Sequence, residues 1–276
     1  MYKFVIHNGL LINEGFIEIL KDNKLDDFRT LKELEGGSLF KKNRFRSVVR
    51  IELKDKVFYL KRHFWPWKER LKSIIPWIKK EDAINEWENM VLLKSLGFNT
   101  MTPVAFGEEK FFGIPYFSLT LTENVYDAEK LEQYLPKHFS PPLDKEKIFK
   151  KRELIKKVAL ITRGFHSKGL NHQDFYLGHL FIKPKDEEIF IIDIQRVHYR
   201  QKIRVRDRIK DLSQLAFSAK GLGILTKADF MRFIHTYFDR EKLIPSDKKI
   251  IKRILSKVKR IEKHTAKLLE RRKRQK

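Results

Sequence analysis

The sequence predicts an α+β fold, sheet-rich at its N-terminal end and helical at its C-terminal end. Short apolar runs separated by turn residues fill the first 122 positions, and helical periodicity takes over from residue 123. The densest group of chemistry-bearing side chains falls after that change. The chain is therefore divided into an N-terminal lobe at 1–122, a C-terminal lobe at 123–244 and a basic amphipathic helix at 245–276.

Phe4 to Phe16 reads as a hairpin, because Asn8-Gly9 favours a tight two-residue turn. Next come Leu31 to Leu34, read as a strand, the glycine-bearing loop Glu35-Gly36-Gly37-Ser38 and a very basic stretch. Ser47 to Leu53 is a strand, turned by Lys54-Asp55-Lys56 into Val57-Phe58-Tyr59-Leu60-Lys61. From Glu81 to Leu96 the residues Ile84, Trp87, Val91 and Leu92 recur near helical spacing, with Gly97 as a C-cap. Pro103 to Phe106 and Tyr116 to Thr122 read as strands. Leu154, Ile155, Val158, Ile161, Thr162 and Phe165 trace one face of a long helix ending near Gly169, which leads directly into Asn171 to His179. A short hairpin, Leu180 to Ile182 with Glu188 to Ile192, follows, and the rest is helical.

Composition narrows the function. The 276 residues suffice to bury a sizeable core. With no cysteine, disulfides, thiolate catalysis and Cys-ligated metal centres are excluded. Sixty Lys and Arg against 36 Asp and Glu give a net charge of +24, which implies a polyanionic partner. The sequence shows neither a signal-peptide pattern nor an apolar run of the roughly 20 residues that span a bilayer, so a cytosolic or peripheral protein is expected.

Two aspartates carry the chemistry. Asp174, in His172-Gln173-Asp174, and Asp193, in Ile192-Asp193-Ile194-Gln195-Arg196, each stand beside an apolar strand and are separated by one hairpin. Phosphoryl transfer needs one carboxylate to orient the attacking hydroxyl and another to hold Mg²⁺ against the nucleotide phosphates. Asp174 is the candidate base and Asp193 the candidate metal ligand. Lys61, ending its strand, suits the nucleotide phosphates. Glu86 is its expected ion-pair partner in preference to Glu88, since its helix face also carries Met90 and Leu93. Gly36, Gly37 and Ser38 lack the spacing of a glycine-rich nucleotide loop, yet their amides and hydroxyl suit phosphate capping. His172 reads as a structural histidine beneath the loop. Asp211 reads as a helix N-cap with Gln214 three residues on, a role compatible with anchoring the loop backbone.

Lys61, Glu86, His172-Gln173-Asp174, Asp193 and Asp211, in this order and spacing, resemble the eukaryotic-like protein kinase fold from about Leu31 to Phe238. Within that superfamily, His172 to Phe181 together with Ile192 to Arg196 look most like the bacterial lipopolysaccharide kinases of the Kdo/WaaP family. The resemblance implies a bilobal kinase that uses ATP and Mg²⁺ to phosphorylate an inner-core heptose, at O-4 of the first heptose, on the cytoplasmic face of the inner membrane. His179 stands where protein kinases place a metal-binding asparagine. A histidine there is shared with the heptose kinases, and metal contact, phosphate contact and packing all remain open to it. Tyr176 replaces the catalytic-loop lysine and Gln195 the glycine after the metal aspartate, which speaks against protein phosphorylation.

The partners that follow are the lipopolysaccharide core glycolipid, the anionic inner-membrane surface and an acidic protein such as acyl carrier protein. The alternatives are a Kdo, other sugar or protein kinase, or a scaffold without catalysis. Nucleic acid is not expected, as no RNA-stacking motif is present. Phe64 to Lys80 sets Trp65, Trp67 and Trp77 among cations, fitting either a membrane interface or an aromatic lid, with Pro66 and Pro76 barring a long helix. In the tail, Ile251, Ile254, Leu255, Val258, Ile261, Leu268 and Leu269 form an apolar stripe opposite many cations.

Overall fold

A computed structural model describes residues 2–64 and 83–274. The Trp65 to Lys80 part of the aromatic and basic segment lies outside them. The strands are β1 (Phe4–His7), β2 (Leu10–Asn13), β3 (Ser38–Asn43), β4 (Arg46–Leu53), β5 (Lys56–Phe64), β6 (Thr102–Phe111), β7 (Ile114–Glu123), β8 (Glu129–Lys130), β9 (Leu170–Asn171), β10 (Leu180–Lys183), β11 (Glu188–Ile191) and β12 (His198–Tyr199). The α-helices are α1 (Ile17–Asp22), α2 (Phe28–Glu33), α3 (Ala83–Ser95), α4 (Leu131–Phe139), α5 (Lys145–Ser167), α6 (Val205–Gly221), α7 (Lys227–Phe238) and α8 (Pro245–Arg274). They group into two compact units. The first runs to Tyr126 and also takes in Asp193–Arg196; the second comprises Asp127–Ile192 and Val197–Lys276.

The first unit is built on an antiparallel sheet of order β1-β2-β6-β7-β5-β4-β3. Its opening hairpin turns on Asn8 (φ 45) and Gly9 (φ 78), the two positive φ values that a tight twisted turn demands. β5 is central, flanked by β4 and β7, so Lys61 pairs with Val48 on one side and Thr120 on the other. Since β5 continues to Phe64, Lys61 lies inside the strand rather than at its end. Leu10, Ile12, Leu20, Phe58, Leu60, Val104, Leu119 and Leu121 form the core beneath the sheet.

Leu31 to Leu34 departs from the expectation of a strand. Asp27 accepts a bond from Thr30 N (3.0 Å) and caps α2, which buries Leu31 fully against the sheet. The spacing Phe28, Leu31, Leu34 is helical, and the cap decides in its favour. The basic residues after Gly37 instead make β3, an exposed edge strand; its lysines guard the open edge against pairing with another chain. α3 ends close to where its periodicity places it, with Gly97 (φ 81) just beyond.

In the second unit, Asp144 caps the long helix α5 by accepting from Lys147 N (2.7 Å). The chain leaves α5 through Gly169 (φ 77), where a Cβ would sit 1.7 Å from the Arg200 carbonyl oxygen. That same stretch holds the bond from Arg200 N to Gly169 O (2.9 Å) and the β9–β12 pairing, so only glycine serves there. β10 pairs with β11 and β8. Thr226 and Asp229 form a reciprocal capping box at the start of α7. α8 docks through Ile254 and Val258 against Ile209 and Leu212 of α6, while Leu255, Leu268 and Leu269 of its apolar stripe remain exposed. Among the described residues, no helix is long and apolar enough to cross a membrane.

Candidate active site

Alternation in β5 points Lys61 to the same face as His63, and α3 supplies the carboxylate that meets it. Lys61 Nζ pairs with Glu86 Oε1, and both side chains are buried. Glu88 is exposed, which settles the choice between the two glutamates. Burial pushes the Glu86 carboxyl upward, but Lys61, Arg46 and the bond from Gln195 overcome it and hold the group below the usual carboxylate range. Gln195 Nε2 donates to Glu86 Oε2 (3.1 Å), and Gln195 Oε1 accepts from Arg46 Nη1 (3.1 Å). Asn89, one turn along α3 from Glu86, donates to Ile194 O (2.8 Å). Asp193 heads this short segment, exposed and in the left-handed conformation (φ 54), which aspartate adopts more readily than most residues.

His63 lies beside these charges. Burial, with Arg46 and Lys61 near, pulls its imidazole from 6.5 to about 4, against the opposing pull of Glu86. The folded state thus refuses a proton that the unfolded chain takes up below pH 6.5. Stability falls as pH drops from 6.5 towards 4, by at most ~3 kcal/mol. Denaturant unfolding at pH 7 and pH 4.5 measures this loss, and His63→Phe is expected to flatten it.

Gly36, Gly37 and Ser38 lie outside the turn between β3 and β4. These residues precede β3, with Ser38 opposite Arg50, whereas the turn joining β3 to β4 is Arg44-Phe45, opened by an Asn43 side chain that accepts from Phe45 N (2.9 Å). Lys61 pairs with Val48, near that turn. Gly37 (φ 95) serves close packing instead, because a Cβ would lie 2.6 Å from Arg50 O.

The loop carrying Asp174 is held by one face of α6. Asp211 Oδ2 accepts from His172 N (2.7 Å) and Oδ1 from Gln173 N (3.1 Å); Gln214 Oε1 accepts from Phe175 N (3.1 Å); Ser218 Oγ accepts from Leu177 N (3.0 Å). Positions 211, 214 and 218 share a helical stripe and meet the loop amides in chain order. Asp211 therefore anchors the loop as expected but caps nothing: α6 starts at Val205, and Asp211 is fully buried in its interior. His166 adds a donor to Asp211 Oδ2 (3.4 Å) and is itself held by Tyr237 Oη on Nδ1 (2.7 Å).

Two histidines complete the loop. His172 is fully buried; its Nε2 donates to Ile192 O (2.9 Å) and its Nδ1 accepts from Asp174 N (3.3 Å), so the ring is neutral with its proton on Nε2. His179 Nδ1 donates to Asp174 O (2.7 Å). The rings stack at 5.7 Å, and Ile192 N closes the group by donating to His179 O (3.0 Å). His179 thus steadies the Asp174 backbone directly. Among the described residues no three His, Cys, Asp or Glu side chains cluster as a metal cage. Mg²⁺ in kinases is held by one or two protein ligands together with phosphates, so Asp193 fits that ion.

Gln214, Ser218 and His166 support the Asp174 loop, and Gln195 bridges Glu86 and Arg46, without having been expected to. The spacing of Gln214 and Ser218 from Asp211 is the one signal the sequence carries for them, and it fits a helix cap equally well.

A buried strand lysine paired with a helical glutamate, a loop aspartate anchored from a helix interior and an aspartate after the following hairpin define a protein-kinase-like fold. Known proteins narrow the class. Residues 28–237 match the Lipopolysaccharide kinase (Kdo/WaaP) family model. The chain is 33% identical to a lipopolysaccharide core heptose(I) kinase WaaP of Escherichia coli over 77% of its length and 82% of the relative. It is 32% identical to the WaaP of E. coli strain K12, over 87% and 92%, and 31% identical to that of Pseudomonas aeruginosa, over 84% and 87%. A solved structure, WaaP in complex with acyl carrier protein, superposes with a TM-score of 0.73 at 27% identity, covering 91% of this chain and 98% of that one. The chain belongs to the Kdo/WaaP lipopolysaccharide kinase family.

Proposed function

We propose that this kinase transfers the γ-phosphoryl group of ATP to a hydroxyl of inner-core heptose I, with O-4 as the acceptor oxygen. The observation that carries the reading is the anchored loop: every amide from His172 to Phe175 has a fixed acceptor in Asp211, His172 or Gln214, so Asp174 is presented preorganised. Three relatives named as core heptose(I) kinases support the acceptor class.

In this mechanism Lys61, oriented by Glu86, would bind the nucleotide phosphates, and Asp193 would hold Mg²⁺, which would supply positive charge against the transferring group. The Arg44-Phe45 turn takes the phosphate-covering place expected of Gly36, Gly37 and Ser38. Asp174 aligns the heptose hydroxyl and receives its proton late, because a loose transition state asks for position more than basicity. His179, which holds the Asp174 carbonyl, suits the metal shell or an acceptor hydroxyl.

The charge of +24 suits work on a phosphorylated glycolipid at the anionic cytoplasmic face of the inner membrane. Arg206, Lys252, Arg253, Lys257 and Arg260 line one groove beside α8, a surface for an acidic partner such as the acyl carrier protein named with the related structure. Incubation with labelled ATP, Mg²⁺ and defined acceptors tests the reading. Label on a heptose-terminated core and none on a Kdo-only core is the expected result; label on Kdo alone would overturn the heptose assignment.

A further inference from the structure

The position two residues after Asp193 holds Gln195 where the protein-kinase pattern has a glycine, and nothing in the phosphoryl-transfer scheme requires a long side chain there. Its amide is nevertheless buried, the residue being 8% exposed, and used at both ends. The acceptor end meets the cationic Arg46 of β4, and the donor end meets the Glu86 oxygen that Lys61 does not take. The orientation is unambiguous, since a flipped amide would set N–H against guanidinium and oxygen against carboxylate.

We infer that Gln195 is a positioning residue that latches the Asp193 segment to the Lys61–Glu86 pair, so that the metal-binding and phosphate-binding parts of the nucleotide site are assembled together. Three elements meet at this amide: α3 through Glu86, the base of the β3–β4 turn through Arg46, and the segment headed by Asp193. Asn89 reinforces the α3 contact by bonding Ile194 O. A hydrogen bond to a buried charge in a water-poor setting is among the stronger neutral-to-ion contacts. Without Gln195, Glu86 Oε2 would keep its charge and lose its second donor. Glu86 then has reason to turn, taking Lys61 with it. The role rests on the kinase reading of the site.

Nucleotide affinity tests it on the full chain, by calorimetric titration of a non-hydrolysable ATP analogue with Mg²⁺ varied. Gln195→Met keeps volume and removes both bonds; it is expected to weaken the analogue about tenfold to hundredfold and to raise the Mg²⁺ needed for half-maximal binding. The KM for the sugar acceptor stays at the wild-type value, a split that general damage to the fold would not give. Gln195→Asn, which retains an amide, recovers part of the loss. In a double-mutant cycle with Glu86→Gln, the pair loses little more than Glu86→Gln alone, because both changes break the same contact. Should Gln195→Met prove unstable, Arg46→Met removes the opposite bond and is expected to show the same affinity loss at smaller size. Wild-type affinity in Gln195→Met, or full additivity in the cycle, overturns the latch. A wild-type protein that binds no nucleotide overturns the kinase reading itself, and the two failures are therefore distinct.

Discussion

Asp174→Asn is expected to lower phosphoryl transfer by about 10²- to 10⁴-fold while leaving nucleotide affinity and thermal midpoint close to wild type. The substitution is nearly isosteric, and it leaves the backbone bonds at this residue in place. Its backbone N–H bonds His172 Nδ1 and its carbonyl accepts from His179, both of which asparagine preserves. What is lost is a carboxylate able to align the acceptor hydroxyl and take its proton. On the proposed reading the loss appears in kcat, with KM for ATP unchanged, because Lys61, Glu86 and Gln195 all belong to the other unit. Single-turnover transfer with the heptose acceptor measures it. Turnover within a few-fold of wild type would show that Asp174 is not the catalytic carboxylate.

What could be read ahead of the structure follows a physical division. Signals that are local and conformational were legible: Asn8-Gly9 demands positive φ at two positions and gives a hairpin wherever it stands between strands. Glu86 was legible too, since a helix that buries Met90 and Leu93 also buries the residue stacked with them. Two features are ambiguous in the sequence for the same reason. Asp211 with Gln214 fits both a capping box and a stripe inside a helix, and the sequence contains no mark that separates them; the loop amides that fill the stripe come from about 40 residues away in the chain. Gly36-Gly37 fits both a phosphate loop and a place of tight strand packing, and the packing role shows only in the Arg50 carbonyl oxygen, 2.6 Å from where a Cβ on Gly37 would stand. The Gln195 bridge needed three elements in register, which no local pattern encodes.

On the proposed reading, Asp211→Asn damages the loop that carries Asp174 and spares nucleotide binding by the first unit. The aspartate is fully buried and accepts from two successive amides, one with each carboxylate oxygen. Asparagine keeps one acceptor and turns an N–H₂ donor against the other amide, so a charge-assisted bond is lost and a buried donor is orphaned. The two effects sum to roughly 2–4 kcal/mol. His166 also loses its anionic partner, while its bond to Tyr237 remains to hold the ring. Gln214 and Ser218 still fix Phe175 and Leu177, so the damage concentrates at His172 and Gln173, immediately before Asp174. The thermal midpoint of the second unit is expected to drop by about 5–15 °C. At a temperature where the variant stays folded, kcat falls, since a small displacement of a positioned base is costly, while the nucleotide Kd is retained. Calorimetric scanning and nucleotide titration on the same preparation check both halves. A variant equal to wild type in stability would mean that the α6 stripe does not hold the loop; one that loses nucleotide binding along with turnover would mean that the two functions are not divided between the units in this way.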